Sequence, residues 1–313
     1  MANKIAVVAV GGNALIKDNN RKTIPDQYEA ARETMGHITT MIQDGWDVVI
    51  SHGNGPQVGF ILRRSELSMG ELHPVPLDYC GADTQGAIGY MFQRALHNEF
   101  KKRGMNKTAA TVVTQVRVDA KDPAFQNPSK PIGSFLDEAT AKERMKEGKT
   151  FVEDSGRGWR QVVPSPKPVE IVELEAIHQL VGHGFTVIAS GGGGIPVVED
   201  EHGNLIGIEA VIDKDHASAL LASSLKADLL LISTAVEKVA LNFRQPNQTW
   251  IDRMTIAEAE QYLAEGHCAA GSMLPKVQAC VQFLRNGGRQ ALITDPEHIP
   301  QALRGETGTW IVP

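Results

Sequence analysis

The sequence predicts an α/β layered fold built on a parallel sheet with helices on both faces. Short runs rich in Val, Ile, Leu and Ala alternate with longer amphipathic segments, and these runs are apolar almost throughout. Strands buried on both faces have such continuous apolar character, whereas strands with one solvated face alternate. The runs predicted as strands cover residues 4–10, 47–51, 110–116, 185–190, 228–233 and 290–294.

Composition excludes several classes of protein. The 313 residues are 42% hydrophobic, enough for a large core without disulfides, and the formal charge of -6 gives no basic patch for nucleic acid. Cys80, Cys268 and Cys280 are odd in number and lack metal-binding spacing. The first apolar run is too short for a membrane span or a secretory signal. We therefore expect a cytoplasmic protein with no membrane segment, no nucleic-acid partner and no protein-bound metal site.

The stretch from about 119 to 168 interrupts the alternation of strands and helices. It is rich in Lys, Pro, Gly and Ser around one helical segment near 137–147. Long insertions of this kind form lids or small subdomains more often than parts of a core. We interpret it as a lid.

Three predicted strands end in glycine-rich turns. Ligands of open parallel sheets bind beyond the carboxyl ends of the strands, and exposed backbone N–H groups there bind anions without help from side chains. These turns therefore predict an anion site, although each one alone also fits ordinary turn chemistry. His52 precedes the second turn, where a structural histidine is the favoured interpretation. The turns are Gly11-Gly12-Asn13, Gly53-Asn54-Gly55 and Gly191-Gly192-Gly193-Gly194.

Two other segments imitate nucleotide-binding motifs. Residues 147–150 end like a P-loop, but Glu143 stands where the motif needs glycine and a helix precedes it, so Gly148 is interpreted as a glycine at a helix C-terminus. Residues 53–58 lack the third glycine of a dinucleotide fingerprint, which disfavours nicotinamide chemistry. No nucleophile elbow or zinc-protease motif is present.

Lysines beside glycine or proline turns point to phosphoryl transfer. Lys214 begins an Ala-rich helical segment, Lys276 lies near the start of another helix, and Lys130 is central in the insertion. A single lysine is usually a solvated surface charge. Phosphoryl transfer, however, needs positioning and positive charge more than covalent chemistry, and lysines together with backbone N–H groups supply both.

Seven segments of the sequence belong together by their order and spacing: AVGGNAL, HGNGPQVG, RGWRQVVPSPKPVEIVE, SGGGGIPV, IDKDHASALLA, TAVEKVALNF and GSMLPKVQA. Together they make the chain similar to the carbamate kinase family of the amino acid kinase superfamily. The similarity runs from about residue 7 to the C-terminus. It implies one domain, an open and mainly parallel eight-stranded sheet in an αβα sandwich with a small protruding subdomain, and a homodimer. It also implies Mg²⁺-dependent, reversible phosphoryl transfer between ATP and carbamate, used to make ATP from carbamoyl phosphate and ADP.

The resemblance implies a division of labour along the chain. Residues of about 1–205, including the lid, would bind carbamate or carbamoyl phosphate, and about 206–313 would bind the nucleotide. Lys130, Lys214, Asp215 and Lys276 resemble the catalytic residues, with Asp215 orienting the lysines and Lys276 also reaching nucleotide phosphates. Ala235, Val236 and Met273 lie in the nucleotide-binding segments. The substrate-binding residues implied are Gly11, Gly12, Asn13, Gly53, Asn54, Ser190 and Gly191.

One departure separates the chain from many members of the superfamily. They carry a lysine just before the first glycine pair, whereas this sequence has none there, as in carbamate kinases; Lys130 and Lys214 would supply that charge. Two alternatives stay open at this stage: another acyl-phosphate-forming kinase, for example one acting on N-acetylglutamate, and a non-catalytic nucleotide sensor on the same fold. Retention of all four catalytic candidates argues against the sensor.

Overall fold

The computed structural model describes residues 4–12, 15–16, 23–153, 156–269 and 272–313, and every structural statement below refers to these. The helices are α1 Ile24–Gln43, α2 Gln57–Leu67, α3 Leu77–Lys102, α4 Glu138–Met145, α5 Leu174–Gly182, α6 Lys214–Ser224, α7 Ile256–Ala264, α8 Met273–Arg285 and α9 Ile299–Leu303, with 3₁₀ turns at Pro123–Phe125 and Gly191–Gly193. The strands are β1 Lys4–Val10, β2 Trp46–His52, β3 Ala109–Thr111, β4 Gln115–Val118, β5 Lys130–Leu136, β6 Thr150–Glu153, β7 Trp159–Val163, β8 Pro168–Ile171, β9 Thr186–Ile188, β10 Ile195–Glu199, β11 Leu205–Gly207, β12 Leu229–Ser233, β13 Val239–Leu241, β14 Thr249–Ile251, β15 Arg253–Thr255, β16 Gln290–Thr294 and β17 Thr309–Val312.

An eight-stranded sheet forms the centre, in the order β15-β17-β16-β12-β1-β2-β9-β3. Neighbouring strands are parallel except β16 and β17, which are antiparallel. The predicted fold class is therefore confirmed. The strand predicted over 4–10 matches β1 to the residue.

Helices cover both faces of this sheet. Side chains of β1 alternate between two cores: Val7 and Ala9 pack with α5, α6, α7 and α8, while Ala6, Val8 and Val10 pack with α1, α3 and α9. Both sets are fully buried, so β1 needs apolar residues at every position from Ala6 to Val10. None of the described helices has an apolar stretch long enough to cross a bilayer.

The strand predicted over 110–116 was wrong as one element. The chain leaves the central sheet after β3 and enters a four-stranded sheet, β11-β10-β4-β8, at β4. At the break, the Gln85 side chain takes up the backbone of Thr114: Oε1 accepts from Thr114 N at 2.8 Å, and Nε2 donates to Thr114 O at 3.0 Å. The Gln85 side chain takes the place of a strand at Thr114 N, while Thr114 O also accepts from Ile195 N of β10 at 2.9 Å. An apolar run does not reveal such a side-chain partner.

The insertion over about 119–168 carries a three-stranded antiparallel sheet, β5-β7-β6, with α4 packed on it. The helix predicted near 137–147 is present as α4, and Gly148 follows it with a φ of 84°. The sheet docks on α2 where two glycines meet, since a Cβ on Gly59 would lie only 2.5 Å from Gly133 Cα. Backbone contact this close fixes the insertion beside the turn that precedes α2.

Candidate active site

The N-terminus of α6 builds the charged centre of the site. Asp213 is its N-cap, and Oδ1 accepts hydrogen bonds from Asp215 N at 2.9 Å and His216 N at 3.5 Å. An aspartate at this position satisfies backbone donors and favours the start of a helix. The cap therefore places Lys214 and Asp215 in the first turn of the helix, at the carboxyl edge of the sheet.

Asp215 joins two lysines. Its Oδ1 lies 2.5 Å from Lys214 Nζ, and its Oδ2 lies 2.9 Å from Lys276 Nζ, which comes from the first turn of α8. The carboxylate is only 3% exposed. Burial alone would raise the pKa of Asp215, but the two lysines hold that pKa below its usual value. Burial also lowers the pKa of Lys214, against the opposing effect of Asp215.

Lys130 arrives from the insertion, as the first residue of β5. Its Nζ lies 2.5 Å from Asp213 Oδ2. Asp213 thus caps α6 with one oxygen and holds Lys130 with the other. Burial would raise the pKa of Asp213, but Lys130 keeps it well below its usual value.

Two glycine turns form the opposite wall. A Cβ on Gly53 would lie 3.3 Å from Lys214 Cδ, and a Cβ on Gly192 would overlap Asn54 Oδ1. Gly192 has a φ of 68°, which side-chain-bearing residues rarely adopt. Glycine is therefore required at position 192, while a side chain at position 53 would press on the stem of Lys214. The two turns interlock, with the Asn54 side chain against Gly192.

These groups line one cavity of about 230 Å³. Within the described ranges, four cationic side chains and two carboxylates line it, which leaves a positive excess. A small anion is the ligand that such a cavity favours. Its charged lining residues are Lys130, Arg160, Asp213, Lys214, Asp215 and Lys276.

The structure brings together only some of the residues predicted for the site. Gly53, Asn54, Lys130, Lys214, Asp215 and Lys276 line the cavity. Ser190 and Gly191 lie buried behind its glycine wall, with Ser190 in a left-handed conformation at a φ of 50°. Asn13 lies outside the described residues, and Gly12 lies at the end of β1 next to it.

Backbone donors on the first two turns are partly used within the protein. Gly11 N donates to Ser233 O at 3.0 Å, and Gly53 N donates to Val10 O at 3.1 Å. These bonds tie adjacent strand ends together. The N–H groups of Gly11 and Gly53 therefore already have acceptors within the protein.

The predicted nucleotide residues lie elsewhere along the same edge. Ala235 and Val236 follow β12, and Met273 begins α8 one turn before Lys276. Ala235 also lines a separate cavity of about 270 Å³ with the acidic residues Glu33, Asp295 and Glu297.

Buried polar atoms support a ligand track along the carboxyl edge. Among the described residues, four side-chain oxygens at or just beyond strand ends are buried without a hydrogen-bond partner. Native proteins leave few such atoms unpaired. The oxygens are Asn54 Oδ1, Ser190 Oγ, Ser233 Oγ and Thr294 Oγ1.

Sequence reasoning missed two contributors to the site. Asp213 had a detectable signal, because an aspartate just before an Ala-rich helix is a typical N-cap. Arg160, on β7, had no local signal. Its Nη2 donates to Gly133 O at 3.3 Å, a contact that depends on the folded insertion.

Known proteins resemble this chain over its whole length. The sequence profile of the amino acid kinase family matches residues 4–295. Carbamate kinase of Pyrococcus horikoshii is 50% identical over 311 residues, 98% of each chain. Carbamate kinase-like protein YahI of Escherichia coli is 49% identical over 313 residues, 99% of each chain.

A solved structure agrees with this similarity. The carbamate kinase from Giardia lamblia bound to AMP-PNP superposes with a TM-score of 0.93 at 40% identity, over 99% of both chains. Fold, sequence and site geometry thus lead to one assignment: the chain belongs to the amino acid kinase family and, within it, to the carbamate kinases.

Proposed function

We propose that this protein is a carbamate kinase, which transfers a phosphoryl group reversibly between ATP and carbamate. Carbamoyl phosphate and ADP are the other pair of substrates. The observation that carries the proposal is the buried Lys214–Asp215–Lys276 arrangement facing the glycine turns. Identity of 50% to a carbamate kinase over nearly the whole chain supports the same reaction.

Each charged group has a role in this reaction. Lys214 and Lys276 place positive charge beside the transferring phosphoryl group, where negative charge is spread over its oxygens. Asp215 orients both lysines and takes no proton from the substrate. The turns at Gly11–Gly12, at Gly53–Asn54 and at Ser190–Gly191 hold the small carbamate end, which has no side chain to recognise.

The nucleotide belongs to the C-terminal half in this proposal. Ala235, Val236 and Met273 lie beside it, and Lys276 reaches its phosphates from α8. Because Lys276 also contacts Asp215, the same cation connects the nucleotide to the Lys214 end of the cavity. That geometry suits in-line transfer between two ligands that meet at the lysines.

Magnesium enters this proposal as part of the nucleotide substrate. No group of three or more His, Cys, Asp or Glu side chains in the described residues is arranged to hold a metal ion. Both carboxylates at the cavity, Asp213 and Asp215, are already paired with lysines. Mg²⁺ is commonly held by substrate phosphates and water with few protein ligands, so MgATP and MgADP are the expected forms.

The insertion acts as a lid in the proposed mechanism. Lys130 reaches the cavity from β5, and closure would exclude water that could hydrolyse the acyl phosphate. The close contact of Gly59 with Gly133 supports this role, because it seats the insertion on the helix that follows the substrate turn.

We also propose that the enzyme is a cytoplasmic homodimer. Large apolar side chains are exposed between the end of α2 and the start of α3, at Leu67, Leu72 and Tyr79, and a second copy would cover such a surface. All three cysteines are unpaired and buried, as suits a reducing compartment. Sedimentation velocity of the purified protein tests the dimer, and a single monomer peak at micromolar concentration contradicts it.

The decisive experiment measures ATP formed from ADP and carbamoyl phosphate, with and without Mg²⁺. We expect turnover that requires Mg²⁺, and carbamate-dependent ADP release in the reverse direction. N-acetylglutamate replaces carbamate as the control acceptor. Turnover of N-acetylglutamate alone would assign the chain to a different acyl-phosphate-forming kinase, and nucleotide binding without any turnover would make it a sensor.

A further inference from the structure

His52 ends β2 and is buried between the two glycine turns that form one wall of the cavity. Its Nδ1 lies 2.9 Å from Gly53 O. A carbonyl oxygen can only accept, so Nδ1 carries a proton, and in a neutral ring Nε2 then carries none. The geometry therefore defines one tautomer of a neutral imidazole.

The other edge of the ring lies against the turn at Gly191–Gly194. A Cβ on Gly191 would overlap His52 Nε2, so only glycine allows the ring to sit there. Gln85 holds the same residue from a second side, because its Nε2 donates to Gly191 O at 3.0 Å. Phe92 packs edge-on against the imidazole, with ring centroids 5.6 Å apart. The ring is thus fixed between the two turns.

The turn at Gly53–Gly55 connects the His52 ring to Lys214, one of the catalytic candidates. Gly53, whose carbonyl accepts from His52, packs against the Lys214 stem, where a Cβ would lie 3.3 Å from Lys214 Cδ. A rotation of the Gly53 peptide would therefore move the wall on which the lysine rests. His52 itself is not one of the described residues lining the cavity.

We propose that His52 is a positioning residue for phosphoryl transfer: its Nδ1–H···O=C bond to Gly53 and its contact with Gly191 hold both substrate turns in register with Lys214. The inference rests on the proposed function for its kinetic test only. His52 exchanges no proton with substrate. Burial supports this, because it lowers the pKa of His52 from 6.5 to about 4 and keeps the ring neutral at neutral pH.

Two amide variants of His52 test the roles of its two ring nitrogens separately. In His52→Asn, the amide nitrogen can occupy the position of Nδ1 and donate to Gly53 O; in His52→Gln, the amide reaches the position of Nε2 and that donor is lost. We expect kcat/KM for carbamoyl phosphate to fall about a hundredfold in His52→Gln, the scale of a misplacement near 1 Å, and to stay within about tenfold in His52→Asn. The Kd for ADP should be unchanged in both.

A matched control separates positioning from general stability. Thr39 is also fully buried and hydrogen-bonded, with Oγ1 donating to Met35 O at 2.7 Å on α1. Thr39→Val should lower the melting temperature without changing kcat/KM. If Asn and Gln at position 52 lose activity equally, or if Gln keeps wild-type kcat/KM, the positioning role is wrong.

The tautomer is checked without any substrate. Long-range ¹⁵N–¹H NMR of the full-length protein, with the His52 signal assigned by its loss in His52→Asn, should show Nδ1 protonated at pH 7. A protonated Nε2 would overturn the inference. This readout stands even if the wild-type enzyme forms no ATP from carbamoyl phosphate, an outcome that would instead refute the proposed function.

Discussion

Asp215 fixes the positions of two positive charges at the cavity, because each of its oxygens accepts a hydrogen bond from one lysine. Carboxylates between two buried ammonium groups stay ionised, and here the pKa of Asp215 lies below its usual value despite burial. Lys214 and Lys276 consequently face the cavity as fixed charges. Fixed charges cost no reorganisation when the transition state forms, which is the source of electrostatic catalysis.

Removing either lysine should therefore slow turnover strongly. For Lys214→Ala and for Lys276→Ala we expect a fall of about a hundredfold or more, the scale for one preorganised donor. Steady-state kinetics in the ATP-forming direction measure it. Lys102→Ala is the control, because Lys102 is 73% exposed on α3. Near-normal turnover of Lys214→Ala with a normal melting profile would refute its catalytic role.

Substitution of Asp215 should affect rate more than nucleotide binding. Asp215→Asn keeps the shape but removes the charge that orients both lysines, so we expect kcat to fall while the Kd for ADP changes little. Single-turnover kinetics and calorimetry measure the two quantities. A weaker Kd for ADP with kcat intact would contradict the orienting role.

Among the elements, α2 connects the substrate turn to the insertion. It begins at Gln57, just after Asn54, and Glu66 near its end accepts from Arg144 at 2.8 Å and Lys149 at 2.6 Å of the insertion. The Glu66 side chain is 12% exposed. Burial would raise the pKa of Glu66, but Lys149 and its other cationic neighbours hold it lower. Glu66 thus clamps the insertion to α2.

Neutralising this clamp should loosen the insertion. In Glu66→Gln, Arg144 and Lys149 lose their shared counter-charge, so we expect KM for carbamoyl phosphate to rise and protease cleavage within 119–168 to accelerate. Glu138→Gln, which removes an exposed pair with Lys142 on α4, is the matched control. Equal effects of the two variants would show that Glu66 has no special role.

Removal of Lys130, the cation that the insertion brings to the cavity, gives a separate test of the proposed lid. Lys130→Ala should impair KM and kcat for carbamoyl phosphate and leave ADP affinity nearly unchanged, since the nucleotide is assigned to the C-terminal half. Calorimetry with ADP beside steady-state kinetics separates the ligands. If Lys130 is only a solvated surface lysine, its removal should change neither the kinetics with carbamoyl phosphate nor the affinity for ADP. Equal losses in both quantities would contradict the lid.

An element can be predicted from the sequence when the residues that stabilise it lie within it or close to it in the chain. The segment itself contains the signal for β1, because residues 6–10 are buried on both faces of the sheet and every one of them is apolar. The break between β3 and β4 depends on Gln85, which is 29 residues before Thr114. The sheet of the insertion and its Glu66 clamp likewise depend on contacts distant in sequence, which a local pattern does not contain.

The same distinction holds for the site. The sequence identifies the glycine turns and the lysines as the kinds of residue that bind anions, and the family resemblance supplies the roles proposed for them. The pairing of Lys130 with Asp213 spans 83 positions, and only the fold brings these side chains together.

For the whole molecule, buried ionisable groups predict two acid-sensitive ranges of stability. The folded pKa of His52 is about 4 against 6.5 when unfolded, so only the unfolded chain gains a proton between these values. The pKa values of Asp213 and Asp215 lie below the usual 3.8. The folding stability that these two ionised carboxylates contribute is fully present above pH 3.8 and is lost as the pH falls toward their pKa values in the folded protein.

Stability should therefore fall as pH falls from 6.5 toward 4, by at most about tenfold in the folding constant per pH unit from His52. Urea unfolding from pH 7.5 to pH 4 measures this slope. His52→Asn should flatten it in this range, whereas Asp213→Asn should leave it unchanged and act only below. An unchanged slope in His52→Asn would contradict the buried neutral state.

If Lys130 binds the phosphoryl group as proposed, its contact with Asp213 places the substrate in competition with an anion of the protein itself. One donor of the Lys130 ammonium is already used by a carboxylate of the protein itself, and this aspartate remains in place as the cap of α6. In the proposed mechanism, an arriving phosphoryl group shares this ammonium with Asp213 or displaces it. A dianion attracts the ammonium more strongly than a monovalent ion at the same distance, because the Coulomb energy grows with charge. The proposed role of Lys130 therefore predicts a preference for highly charged anions that does not depend on any group specific to carbamate.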